Sequence, residues 1–142
     1  MEGGTYTLVL DRTGDGPVEV GALGTIDFSA DWYAYTGSAL GAGGFSRVER
    51  HRAVASGDND ARHWHVDYLL GDDATTVETA VTTTAGIECA VARRLADAVG
   101  ESIPDFGCSD CDCASHLVGC DDHEALVSAV ERAHDVAVSE SV

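Results

Sequence analysis

The apolar positions of this chain change their period several times, and each change predicts an element. Thr5-Tyr6-Thr7-Leu8-Val9-Leu10 is a run of β-formers and predicts a strand. Residues 11–17 hold Gly14-Asp15-Gly16-Pro17 and predict a turn, after which Val18-Glu19-Val20 resumes an extended pattern. Residues 5–20 are therefore expected to fold back as a hairpin. Trp32-Tyr33-Ala34-Tyr35 predicts a third strand, which runs into a glycine-rich bend over residues 37–44. Residues 45–55 read as a helix with arginines on its exposed face, and Gly57-Asp58-Asn59-Asp60 as a loop. His65-Val66-Asp67-Tyr68-Leu69 and the Thr- and Val-rich residues 75–84 read as extended. Ile87, Val91, Leu95 and Val99 recur every four residues with alanines between them, the mark of a helix. Residues 103–120 read as irregular, and residues 124–138 as a closing helix. No internal repeat is visible. This order predicts one α+β domain over residues 1–142: a small, mostly antiparallel β-sheet flanked by helices.

Charge alters the picture more than size does. The chain has 142 residues and is 44% apolar, enough to bury a core. It carries 25 acidic residues against 8 basic ones, for a net charge of −17. Every basic residue is arginine, and there are only 2 prolines, which is not the composition of a disordered acidic tail. The acids are spread over turns and helix faces. That distribution suits a folded protein of a high-salt cytoplasm, where molar salt shortens the reach of carboxylate repulsion to roughly 3 Å. An acidic protein of ordinary cytosol is the plainer alternative. No run approaches the ~20 apolar residues of a membrane span, and no secretory signal opens the chain, so a cytoplasmic location is expected. The 5 cysteines are then expected as thiols or metal ligands rather than disulfides.

A spaced set of residues carries the chemistry: Tyr6, Tyr35, Arg47, His51 and Glu88. These are the parts of a one-metal phosphodiesterase. A carboxylate such as Glu88 holds Mg²⁺ or Mn²⁺, Arg47 balances charge on a five-coordinate phosphate, and a tyrosine or histidine handles the proton. Each residue also has an ordinary reading. Tyr6 and Tyr35 suit a strand core, His51 suits a silent helix position, and an acid such as Glu88 is favoured at a helix N-terminus by the dipole. Arg50 and Arg52 lie on the same predicted helix as Arg47 and offer contacts to backbone phosphates, or simply a solvated face. Residues 43–66 hold four arginines against three acids, a local balance of +1 in a chain that is otherwise −18. A locally cationic cleft of this kind lets an acidic protein meet DNA.

Two further clusters stand out. His63, His65 and Asp67 fall on alternating positions, hence on one face if the segment is a strand. Cys108, Cys111, Cys113 and His116, with Cys120 beyond them, are dense enough in soft ligands for a structural Zn²⁺. Buried free thiols beside a hydrogen-bonded His116 are the plainer reading of that segment, and Cys89 reads as a small core residue.

Together these residues resemble a known family. Gly4-Thr5-Tyr6 resembles the first motif of the GIY-YIG nuclease superfamily and Tyr35-Thr36-Gly37 the second. Arg47 and His51 resemble the pair on the helix that follows, and Glu88 the metal-binding glutamate. The longer blocks Val20-Gly21-Ala22-Leu23-Gly24, Tyr35-Thr36-Gly37-Ser38-Ala39, residues 63–69, Glu88-Cys89 and residues 109–117 are similar to the DUF123 branch, which is sometimes fused to a DNA-repair glycosylase domain. The resemblance covers about residues 4–120. It implies a metal-dependent endonuclease that hydrolyses DNA phosphodiester bonds, with a place in DNA repair and a glycosylase as partner. Three features depart from the pattern. Tyr6 and Tyr35 lie 29 positions apart where typical members have a short hairpin, Thr replaces Ile in both motifs, and the late asparagine is not evident. A non-catalytic nucleic-acid- or partner-binding domain of the same fold is the alternative reading, and a zinc or thiol module at residues 108–120 a further one.

Overall fold

The first strand organises the molecule. In the computed structural model, which describes residues 3–13, 16–28, 30–39, 44–59, 65–72, 74–99, 103, 106 and 115–140, β1 spans Thr5–Arg12. The other elements of the main layers are β4 (Trp32–Ser38), α1 (Ser46–Ser56), α2 (His65–Leu70), β5 (Thr75–Thr83), α3 (Glu88–Val99), β6 (Leu117–Cys120) and α4 (His123–Glu140). β1 pairs antiparallel with β4 on one side and with β5 on the other, and β4 pairs antiparallel with β6, giving the order β5-β1-β4-β6. Alternation along β1 divides the core in two. Tyr6, Leu8 and Leu10 enter one buried cluster with Tyr33 and Tyr35 of β4, while Val9 enters the other with Ala34. Val48 and Val54 of α1 and Val66, Leu69 and Leu70 of α2 close the first cluster. Val91 and Leu95 of α3 with Leu126, Val130 and Ala137 of α4 close the second. The result is an α+β fold in which an antiparallel sheet lies between two helical layers.

Four expectations need correcting. Residues 5–20 do not form a hairpin. Both edges of β1 are occupied by longer strands, and the short β2 (Pro17–Glu19) pairs instead with β3 (Thr25–Asp27) in a separate two-stranded sheet, Val18 opposite Ile26. Residues 65–70 form a helix, not a strand: Val66, Leu69 and Leu70 share a face at a spacing of three and four, and that spacing outweighs the alternation of a short segment. His65 and Asp67 therefore do not share a strand face. Residues 117–120, expected to be irregular, are β6. Cys89 also departs from its expected role as a free core thiol. It is disulfide-bonded, with its partner outside the described residues, whereas Cys120 is a free thiol.

The long connection between β1 and β4 is anchored by one side chain. Arg12 is 4% exposed. Its guanidinium donates to the Asp72 carboxylate at 2.7 Å, the Thr75 hydroxyl at 2.9 Å and the Phe28 carbonyl at 3.3 Å. It also lies over the Phe28 ring. Phe28 in turn packs edge-on against Phe106, with centroids 6.3 Å apart, and Phe106 packs edge-on against Tyr35 at 6.1 Å.

Candidate active site

Antiparallel pairing sets Tyr6 opposite Gly37 and Leu8 opposite Tyr35, so both tyrosines leave the same face of the sheet. Their ring centroids are 6.4 Å apart. Gly37 is required by this packing, because a Cβ there would overlap the Tyr6 hydroxyl. On α1 the buried positions are Val48, His51 and Val54, a three-residue spacing that carries His51 inward with the valines. His51 Nε2 lies 2.7 Å from the Tyr6 hydroxyl oxygen, and the His51 ring is edge-on to Tyr35. Arg47, one turn before His51, donates to the Ser38 carbonyl at 2.6 Å. Arg50 closes a bidentate pair on Asp67, both bonds 2.9 Å, and the Asp67 side chain is fully buried.

Glu88 arrives from the opposite helical layer, and Thr5 brings it there. The Thr5 hydroxyl donates to the Ala85 carbonyl at 2.7 Å and accepts the Ile87 N–H at 2.9 Å. The backbone just before Glu88 is thereby tied to the residue just before Tyr6. The Glu88 side chain is 31% exposed, and its Oε2 stands 4.0 Å from Nδ1 of the buried His116. His116 is held by its own backbone: its N–H donates to Phe106 and its carbonyl accepts from Thr36, each at 2.9 Å. The Thr36 hydroxyl also meets that of Thr7 at 3.0 Å. Threonine in the two motif positions therefore does more than suit a strand, since each hydroxyl makes a hydrogen bond that isoleucine could not.

The charges converge on one oxygen. Burial raises the Tyr6 pKa most, the Tyr35 hydroxyl adds to the rise, Arg47 lowers it, Glu88 raises it and Arg50 lowers it. Tyr6 is thus within electrostatic reach of both Arg47 and Glu88. Burial lowers His51 to about 4; Asp67 opposes that shift, while Arg50 and Arg47 add to it. At neutral pH the 2.7 Å bond therefore joins a phenol that has kept its proton and a neutral imidazole.

Tyr6, Tyr35, Arg47, His51 and Glu88 thus meet at one end of the sheet. Arg50 is there too, with its fork engaged by Asp67, a partnership no strand reading of residues 65–69 could suggest. The available signal was an acid inside an apolar helical spacing. Arg52 is elsewhere, lining a shallow depression between α1 and β5 with Ser56 and Thr76. Cys108, Cys111, Cys113, Arg62 and His63 lie outside the described residues. Among the described residues no group of three or more His, Cys, Asp or Glu side chains converges as a metal cage. A half-open carboxylate at Glu88 with an imidazole nearby fits a divalent cation that keeps most of its water. No helix among the described residues is long and apolar enough to cross a membrane.

A family model described as "Domain of unknown function DUF123" matches residues 5–139, and the chain belongs to that family. No curated protein and no solved structure matches it.

Proposed function

We propose that this DUF123 member is a metal-dependent endonuclease of GIY-YIG type that hydrolyses phosphodiester bonds in DNA. The observation that carries the reading is the meeting of Tyr6, Tyr35 and His51 in ring contact, with the charges of Arg47 and Glu88 both felt at the Tyr6 hydroxyl. Glu88 would hold a Mg²⁺ or Mn²⁺ ion, which would supply Lewis acidity to the reaction.

The chain's own residues do the rest. The buried Tyr6 cannot hold a free phenolate at neutral pH, but it can relay. Its oxygen takes a proton from the attacking water as its own proton passes to His51 Nε2, 2.7 Å away and neutral. The water oxygen bonds to phosphorus, the bond to the ester oxygen breaks, and solvent protonates the leaving oxygen. Arg47 offers the guanidinium that faces the gathering phosphate charge. The local charge balance of +1 over residues 43–66 favours that approach in a chain of net charge −17.

A role in DNA repair and a glycosylase partner belong to the same proposal. Cleavage of single-stranded, duplex and branched DNA in high KCl, with Mg²⁺ or Mn²⁺ and with Glu88→Ala as control, tests it. Metal-dependent cutting that disappears in the variant is expected. If no substrate is cut but DNA is still retained, the fold serves as a binding domain instead.

A further inference from the structure

We infer that His116 is a second protein donor to the cation at Glu88, and that its imidazole shifts the site's preference from Mg²⁺ toward Mn²⁺ and other transition ions. This rests on Glu88 being the cation's carboxylate. The separation between His116 Nδ1 and Glu88 Oε2 is 4.0 Å. That is too long for a hydrogen bond, which needs roughly 2.7–3.2 Å. It is within the reach of two metal–ligand bonds of about 2.1 Å each when the two donors lie on nearly opposite sides of the ion.

Both donors stand on fixed supports. The His116 backbone is bonded on one side to Phe106 and on the other to Thr36, next to Tyr35. The Glu88 backbone follows directly on the segment clamped by Thr5. The two supports belong to different strands, β4 for His116 and β1 for Glu88, and they bring the donors to 4.0 Å from separate parts of the fold. The His116 side chain is 4% exposed and that of Glu88 31%. An ion between them has a closed protein side and an open side for water and phosphate. Nitrogen donors rank transition ions above Mg²⁺, which takes oxygen almost exclusively. A Glu–His pair therefore selects differently from a lone carboxylate. It also gives His116 a role separate from a zinc site with Cys108, Cys111 and Cys113.

Pulsed electron paramagnetic resonance of the full chain loaded with substoichiometric Mn²⁺ tests the inference without any nuclease substrate. Hyperfine coupling from one directly bound imidazole nitrogen is expected. It should vanish in His116→Gln and persist in His51→Gln. Titration should show Mn²⁺ affinity falling at least about tenfold in His116→Gln, with Mg²⁺ affinity changed less. Bound Mn²⁺ without nitrogen coupling in the unaltered chain overturns the inference, even if His116→Gln does not fold. In that case Glu88→Gln separates the two readings. Loss of Mn²⁺ in that variant leaves Glu88 as the cation's carboxylate and removes only His116, whereas Mn²⁺ binding unchanged in Glu88→Gln removes both.

Discussion

Two buried histidines sit on opposite faces of the same sheet, and consecutive residues of β1 meet them. Tyr6 points to His51 on α1, and Thr7 points to His134 on α4. Burial lowers the pKa of both rings. Their surroundings differ. His134 has a hydroxyl on each ring nitrogen, Thr7 at Nε2 and Thr83 at Nδ1, each 2.8 Å away, and so fastens α4 to two strands. His51 faces a phenol and lies within the fields of Asp67, Arg50 and Arg47. A buried histidine closed by hydroxyls holds the fold together. One set among charges and facing an ionisable group can move a proton. Burial does not separate the two roles; the neighbours do.

The largest effect that would sharpen this contrast is at the cation's carboxylate. Glu88→Ala should lower metal-dependent DNA cleavage by about 10³-fold or more at unchanged thermal stability, checked by initial rates and melting curves. Arg47→Lys should lower it by about 10²-fold, because an ammonium keeps the charge but not the two-point geometry. An equal rate in Arg47→Lys would break the assignment. At the other histidine, His134→Ala should cost about 2–4 kcal/mol of stability by removing one hydrogen bond from the buried Thr7 hydroxyl and one from the half-buried Thr83 hydroxyl and by opening a cavity. The rate per folded molecule should hold, read by urea denaturation beside active-fraction kinetics. If instead His134→Ala abolishes cleavage in the folded fraction, the division of labour between the two faces fails.

The smallest expected effect is on pH dependence. The His51 pKa is near the ordinary ~6.5 in the unfolded chain and about 4 in the folded one. The unfolded chain therefore binds the extra proton first as pH falls. The stability contributed by neutral His51 is complete above about 6.5 and is lost as pH drops toward 4. Between about pH 4.5 and 6, stability of the parent chain should fall more steeply than that of His51→Gln, by about 1 kcal/mol per pH unit. Equal slopes would mean that His51 is not buried as a neutral ring.

The sequence made the site more legible than its supports. β1, β4, α1, α3, β5 and α4 follow from runs and spacings of apolar residues, and the five chemical residues stand out by type and order. What could not be read was pairing at a distance. From sequence β2 reads as the partner of β1, and only the occupancy of both β1 edges turns it to β3. Residues 65–70 offer alternation and helical spacing at once, and the six-residue helix wins because it buries Val66, Leu69 and Leu70 in the cluster that also holds Leu8 and Tyr35. His134 carried no signal, because its meaning lies in threonines 127 and 51 positions away.

The Phe28 ring has a consequence for lineage rather than for chemistry. The long insert between β1 and β4 is no slack loop. It contributes an aromatic that meets Phe106, which meets Tyr35. A relative with a shorter connection must fill that volume from another part of its chain, so the length of this connection and the bulk at position 106 should be inherited together. Trimming the insert alone would hollow out the ground beneath Tyr35.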